Sequence, residues 1–135
     1  MMLLDTTVLV YAVGGDHPLA GPARGLVERI RAGDVRAHTT PEVIAEFAHV
    51  RARRRSRDDA YEVAQAFATL LSPLQLIGPN HLEAGLALWR TTASLGSFDA
   101  VLASAAMSLD AELVSADNAF ASVPGLRWRP LQVTG

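Results

Sequence analysis

Four acidic residues in separate parts of the chain have the types and positions that could do chemistry. Asp5 ends the apolar run MMLLD, and Asp117 ends a similar run in ELVSAD. Asp99 opens the segment SFDAVLASAA, and Glu46 interrupts the apolar positions of TPEVIAEFAHV. A carboxylate beside a hydrophobic core lowers stability unless it is paired, hydrogen-bonded or bound to a metal. These acids therefore need a structural or a chemical explanation.

Brought together, such carboxylates would repel and raise one another's pKa values unless a cation were present. The chain has no cysteine and its histidines are scattered, so the available oxygen ligands favour magnesium or manganese over zinc. A metal-activated water can attack phosphorus while the metal neutralises charge on the phosphoryl oxygens. The residue types thus predict hydrolysis of phosphodiester bonds.

The elements that must position these acids follow from the order of apolar segments. Strands are expected near residues 2–5, 35–40, 74–77, 112–116 and 126–131. Helices are expected near residues 6–13, 17–33, 41–54, 58–71, 79–93 and 97–109. This alternation predicts right-handed crossovers and an α/β fold, a three-layer α/β/α sandwich with a mainly parallel central sheet of four to five strands. Residues 1–135 are expected to form a single domain, with the last strand at a sheet edge because it contains Pro130.

In a parallel sheet the functional crevice lies beyond the carboxyl ends of the strands. Asp5 and Asp117 both lie at such ends, and their side chains converge if the two strands are neighbours. Each acid also has a purely structural explanation: Asp5 and Asp117 as helix N-caps, Asp99 as a partner of a helix dipole, and Glu46 as a side chain that reaches solvent. Separate structural roles do not explain why all four would lie at one end of one sheet.

The motifs quoted above resemble those of the PIN-domain nucleases, and in particular the VapC-type toxins of toxin–antitoxin pairs, over essentially the whole chain. The resemblance implies an endoribonuclease that depends on Mg²⁺ or Mn²⁺. The catalytic and metal-binding residues that it implies are Asp5, Glu46, Asp99 and Asp117. Asp5 and Asp99 would be direct ligands, with Glu46 and Asp117 holding metal-bound waters or a second ion. Thr6 and Ser115 would form hydrogen bonds beside these acids.

The same resemblance implies an RNA substrate, a homodimer and inhibition by a cognate VapB-type antitoxin. No apolar stretch has the length of a membrane span, and we see no secretory signal, so we expect a cytoplasmic protein without a membrane partner. The chain has no lysine, no GxxxxGK[ST] and no GxGxxG, which argues against phosphoacceptor, P-loop and dinucleotide-binding proteins.

Basic residues are concentrated in one short segment. All 12 are arginines, and the segment RARRRSR contains Arg51, Arg53, Arg54, Arg55 and Arg57. The net charge of −2 argues against nucleic-acid binding driven by bulk charge. The segment could simply complement the dipole at a helix C-terminus, or it could contact RNA phosphates or antitoxin carboxylates. An alternative function is therefore a catalytically silent PIN-like module that binds RNA or a protein through this cluster.

Overall fold

The computed structural model describes residues 1–132. It contains a four-stranded sheet covered by helices, and the predicted α/β/α sandwich is confirmed. The strands are β1 (Met2–Leu4), β2 (Ala37–His38), β3 (Glu112–Ser115) and β4 (Trp128–Pro130). The helices are α1 (Thr6–Val13), α2 (Ala20–Arg31), α3 (Pro41–Arg54), α4 (Arg57–Leu70), α5 (Pro79–Thr91) and α6 (Ser97–Ser108), followed by a 3₁₀ helix at Asn118–Ser122.

The order of the strands places the two acid-bearing strand ends side by side. The sheet order is β2-β1-β3-β4, and every neighbouring pair is parallel. The chain moves from β1 to β2 on one side and later returns to β3 on the other, so the order reverses between β1 and β3. Such a reversal opens a crevice at the carboxyl ends of the strands. The strands before Asp5 and Asp117 are therefore neighbours, which is the condition for their side chains to converge.

The prediction of a strand at residues 74–77 is wrong. This segment has no regular secondary structure: its Gln75 N–H donates to the carbonyl of Thr39 over 2.8 Å, but the segment does not form a ladder with β2. Leu76 is 77% exposed, so the apolar run does not enter the core. β2 is only two residues long and offers little edge for pairing. The last strand does lie at an edge, beside β3, as Pro130 predicted.

Helices α5 and α6 pack closely because a glycine lies at their contact. A Cβ atom added to Gly85 would lie 2.5 Å from the Cα atom of Val101, a distance that real side chains do not reach. The close approach fixes α6, whose first turn carries Asp99, against its neighbour. Within residues 1–132, no helix has both the length and the apolar character needed to cross a membrane.

Candidate active site

Asp5 is the most firmly held acid of the structure. It caps the N-terminus of α1 directly after β1, and only 4% of it is exposed. Its Oδ1 accepts hydrogen bonds from the Thr7 N–H over 3.0 Å and from the Thr7 hydroxyl over 2.5 Å. Its Oδ2 accepts one from the Ser115 hydroxyl over 2.5 Å. Both carboxylate oxygens are therefore oriented by the protein.

The two hydroxyl groups that hold Asp5 also hold the loop after β3. The Ala116 N–H donates to Thr7 Oγ1 over 3.0 Å, and the Asp117 N–H donates to Ser115 Oγ over 2.9 Å. Each hydroxyl has a single proton, which it gives to Asp5, so the remaining contacts are those in which it accepts. This network ties the start of α1 to the loop that carries Asp117.

Glu46 and Asp117 are exposed, unlike Asp5. Asp117 caps the 3₁₀ helix, and its Oδ1 accepts from the Ala119 N–H over 2.9 Å. Glu46 projects from α3, whose start is anchored because the Thr39 hydroxyl donates to the carbonyl of Leu4 over 2.7 Å. The end of β1 thus fixes the start of α3 at the same edge of the sheet.

The pKa of Asp99 shows the effect of the nearby acids at this edge of the sheet. The pKa of Asp99 is raised to about 6, mainly by burial and in addition by the negative charges of Asp5, Asp117 and Glu46. Burial also raises the pKa of Asp5, although its hydrogen bonds to Ser115 and Thr7 oppose that rise. Asp99 is therefore within electrostatic range of Asp5, Glu46 and Asp117, and we call these four acids the acidic rim.

The chemistry of the acidic rim fits a hard divalent cation. Its donors are carboxylate oxygens, and a bound cation would relieve the repulsion that adds to burial in raising the pKa of Asp99. Among residues 1–132, no three acidic or histidine side chains are already drawn together as a ready ligand set. The carboxylates of Asp5, Asp99, Glu46 and Asp117 are the groups that could hold Mg²⁺ or Mn²⁺ here.

The hydroxyl beside the acidic rim belongs to Thr7, and the expected contact of Thr6 is not formed. Thr6 is buried, and its Oγ1 has no hydrogen-bond partner in the part of the chain that the structure describes. In a helix capped by an aspartate, the carboxylate receives the N–H of the second helical residue, so that residue lies beside the cap. This spacing after Asp5 was the signal for Thr7 in the sequence.

Within the arginine cluster, Arg51 differs from the others. Its Nε donates to Asp59 Oδ2 over 2.6 Å, another guanidinium nitrogen donates to the carbonyl of Val13 over 2.9 Å, and only 14% of its side chain is exposed. The hydrogen bond from Arg51 is the main reason why the pKa of Asp59 is lowered. Arg51 therefore joins α3 to α1 and α4 and is not available for the predicted contact with RNA or an antitoxin. The other four arginines, Arg53, Arg54, Arg55 and Arg57, are exposed.

Comparison with known proteins places this chain in a family. The PIN domain model matches residues 2–126. Ribonuclease VapC7 of Mycobacterium tuberculosis is 49% identical over 128 residues, which cover 91% of this chain and 86% of the relative. Ribonuclease VapC43 of the same species is 33% identical over 138 residues, covering 96% and 94% of the two chains.

Solved structures show the same fold. The M. tuberculosis toxin VapC20, described as cleaving the sarcin-ricin loop, superposes with a TM-score of 0.75 at 15% identity over 96% of this chain and 100% of that one. The toxin-antitoxin complex VapBC from Salmonella typhimurium, bound to DNA, gives a TM-score of 0.76 at 16% identity over 97% and 99%. The chain therefore belongs to the PIN-domain family, and within it to the VapC ribonucleases of toxin–antitoxin systems.

Proposed function

We propose that this protein is a metal-dependent endoribonuclease, the toxin of a toxin–antitoxin pair, which hydrolyses RNA phosphodiester bonds with a metal-activated water. One observation carries the proposal: β1 and β3 are parallel neighbours, so the strand ends that precede Asp5 and Asp117 lie at one edge of the sheet. The raised pKa of Asp99 agrees with it, since the charges of Asp5, Asp117 and Glu46 add to the effect of burial. In this proposal, residues that are far apart in the chain form one site, as a cation-binding catalytic centre requires.

The residues of the acidic rim have different tasks in this proposal. Asp5 and Asp99 bind Mg²⁺ or Mn²⁺ directly, while Glu46 and Asp117 hold waters of its shell or a second ion. When bound, the metal supplies a nucleophile at neutral pH and neutralises phosphoryl oxygens. Thr7 and Ser115 keep both oxygens of Asp5 in fixed directions through hydrogen bonds of 2.5 Å. Fixed ligand oxygens lower the reorganisation needed when substrate arrives.

The partners in this proposal are an RNA substrate, a cognate VapB-type antitoxin that covers the acidic rim, and a second copy of the chain in a homodimer. The antitoxin is supported by structural neighbours that are VapBC complexes, including those from Salmonella typhimurium and Rickettsia felis. RNA is supported by the names of the curated relatives, which are ribonucleases.

Cleavage of total RNA by the purified protein in Mg²⁺, followed by sequencing of the cleaved ends, tests this function. We expect Asp5→Asn and Asp99→Asn each to lower the cleavage rate by on the order of 10²-fold or more, because each removes a ligand charge. Asp16→Asn is the matched control, since Asp16 is an exposed acid on the loop after α1. The Asp16→Asn control should cut RNA at the wild-type rate. EDTA should stop cleavage by both the wild-type protein and this control.

If Asp5→Asn cuts RNA as fast as the wild-type protein, the assignment of the acidic rim is wrong. If the wild-type protein cuts no RNA and its melting temperature does not respond to millimolar Mg²⁺ or Mn²⁺, the chain is instead the catalytically silent module. A metal that binds only the folded protein must raise the melting temperature.

A further inference from the structure

One exposed face of α3 connects the acidic rim to the arginine-rich end of the helix. Glu46, His49 and Arg53 follow one another at spacings of three and four residues, and all three are exposed. Such spacings place side chains on one face of an α-helix. Seven residues of rise separate Glu46 from Arg53, which is about 10 Å along the helix axis. A single nucleic-acid strand that lies along this face would therefore contact both the acidic rim and the arginine-rich end of α3.

This face ends in an open groove between α3 and α4. The groove has a volume of about 490 Å³ and is lined by His49, Arg53, Arg57 and Tyr61, with three alanines between them. Tyr61 is 66% exposed, a high value for an aromatic side chain. We call this the basic groove. It contains cationic side chains and an aromatic ring, which are the two components of single-strand recognition.

The walls of the basic groove are held rigidly although its side chains are free. Only Arg55 and Ser56 separate α3 from α4, and the Ser56 hydroxyl caps α4 by accepting from the Asp59 N–H over 3.1 Å. The ion pair between Arg51 of α3 and Asp59 of α4, which is 2.6 Å long, also joins the two helices near this turn. Arg53 and Arg57 therefore project from a fixed helical corner.

We propose that the basic groove binds a single-stranded part of the RNA substrate beside the bond to be cleaved, with Arg53 and Arg57 on phosphates and Tyr61 stacked on a base. This proposal rests on the proposed function, because an RNA bound in the groove must also reach the acidic rim along α3 if it is to be cleaved there. Guanidinium groups suit phosphate oxygens, and they offset the repulsion that the carboxylates exert on an incoming phosphodiester. An acidic protein segment could meet the arginines too, but it would leave the exposed ring of Tyr61 without a role.

The test measures the affinity of the full-length protein for a fluorescein-labelled single-stranded RNA of about 16 nucleotides, the upper end of site sizes for single-strand binders. Anisotropy is recorded in EDTA, which prevents cleavage, at several salt concentrations. Arg53→Gln/Arg57→Gln is compared with Arg29→Gln/Arg90→Gln, a pair of exposed arginines on α2 and α5 with the same change in charge.

We expect the groove variant to bind RNA about tenfold more weakly, and its slope of log affinity against log salt to fall by about 1.4, which is 0.7 for each lost phosphate contact on a single strand. The control pair should stay within about twofold of the wild-type protein because scattered charges far from the strand are screened. Tyr61→Leu should weaken binding at least about fivefold, whereas Tyr61→Phe keeps the ring and should bind normally.

The outcomes separate this proposal from the proposed function. If the wild-type protein cuts RNA but the groove variant and its control pair bind RNA alike, the groove proposal is overturned and the nuclease stands. If binding depends on Arg53, Arg57 and Tyr61 but no RNA is cut, the proposed nuclease fails, and the groove is an RNA-binding surface but not a substrate site. If the groove variant loses binding only to poly-L-glutamate, the groove takes acidic protein and the proposal is wrong.

Discussion

The acidic rim and the basic groove lie along the same helix, α3, but they hold their charges in different ways. At the rim, Asp5 is 4% exposed and both of its carboxylate oxygens accept hydrogen bonds. In the groove, Arg53, Arg57 and Tyr61 are exposed, and Arg53 and Arg57 form no ion pair within residues 1–132. Chemistry needs atoms in fixed positions, whereas binding a flexible strand tolerates side chains that move. The rim should therefore govern kcat, and the groove should govern KM.

The largest effect that tests this division is expected from the hydroxyl of Thr7. Thr7→Val keeps the shape of the side chain but removes the bonds to Asp5 and to the Ala116 N–H, which are 2.5 and 3.0 Å long. We expect kcat for RNA cleavage to fall by about 10- to 100-fold, the usual cost of losing a group that orients a metal ligand. KM should change little, because the basic groove is intact. Steady-state kinetics on a short RNA measure both constants.

Thr7→Ser is the matched control, since it keeps the hydroxyl and loses only a methyl group. It should recover most of the wild-type kcat. An equal loss in Thr7→Ser, or a loss that appears in KM alone, would show that the hydroxyl does not act by orienting Asp5.

The second comparison lies inside the arginine cluster. Arg51→Gln removes the ion pair with Asp59 and the hydrogen bond to the carbonyl of Val13. Hydrogen bonds that involve a charged group contribute about 2 kcal/mol, so we expect the free energy of unfolding to fall by about that amount. Arg53→Gln, on the exposed face of the same helix, should change it by less than about 0.5 kcal/mol. Urea denaturation of the two variants gives both values.

The two substitutions should have the opposite order of effects on RNA affinity, with Arg53→Gln the weaker binder. If Arg51→Gln left stability unchanged while weakening RNA binding, Arg51 would belong to the binding surface and not to the structural corner.

The sequence was sufficient to predict that the strand ends before Asp5 and Asp117 would lie at one edge of the sheet. Asp5 and Asp117 follow apolar runs, and parallel strands carry their carboxyl ends to one edge, so convergence required only that β1 and β3 be neighbours. Asp99 and Glu46 were assigned to the same edge from the positions of their helices, and that assignment stays a prediction. Such inferences depend on the apolar pattern of each segment and on the order of strands and helices along the chain, both of which can be read from the sequence.

Other features depend on contacts that no local pattern expresses. Arg51 looks like its neighbours in RARRRSR, and its burial depends on the packing of α3 against α4 and α1, where it contacts Asp59 over 2.6 Å and the carbonyl of Val13 over 2.9 Å. The apolar pattern of residues 74–77 is typical of a strand. Whether such a segment pairs depends on its neighbour, and β2 is only two residues long, which the letters of segment 74–77 do not reveal. The roles of Thr6 and Thr7 differ because a helix turns by about 100° at each residue, so adjacent side chains face different surroundings.

The smallest predicted effect concerns the pH dependence of stability without metal. The pKa of Asp99 is raised from its ordinary value of 3.8 to about 6 by burial, with the nearby acids adding to the rise. The folded protein therefore binds this proton more tightly than the unfolded chain does. Its contribution to stability is fully present below pH 3.8 and is lost as the pH rises through 6. Asp99→Asn imitates the neutral side chain at every pH.

In EDTA at pH 7 we expect Asp99→Asn to raise the free energy of unfolding by about 1–2 kcal/mol, which allows for solvent screening at a partly exposed site. The gain should shrink between pH 6 and pH 4 and vanish below that range. Asp16→Asn should show no such dependence, because Asp16 lies outside the acidic rim. Adding Mg²⁺ should stabilise the wild-type protein more than the variant, since only the wild-type protein keeps the full set of carboxylates. A gain that is equal at pH 4 and pH 7 would mean that the charge of Asp99 does not oppose folding, and the electrostatic basis of the acidic rim would fail with it.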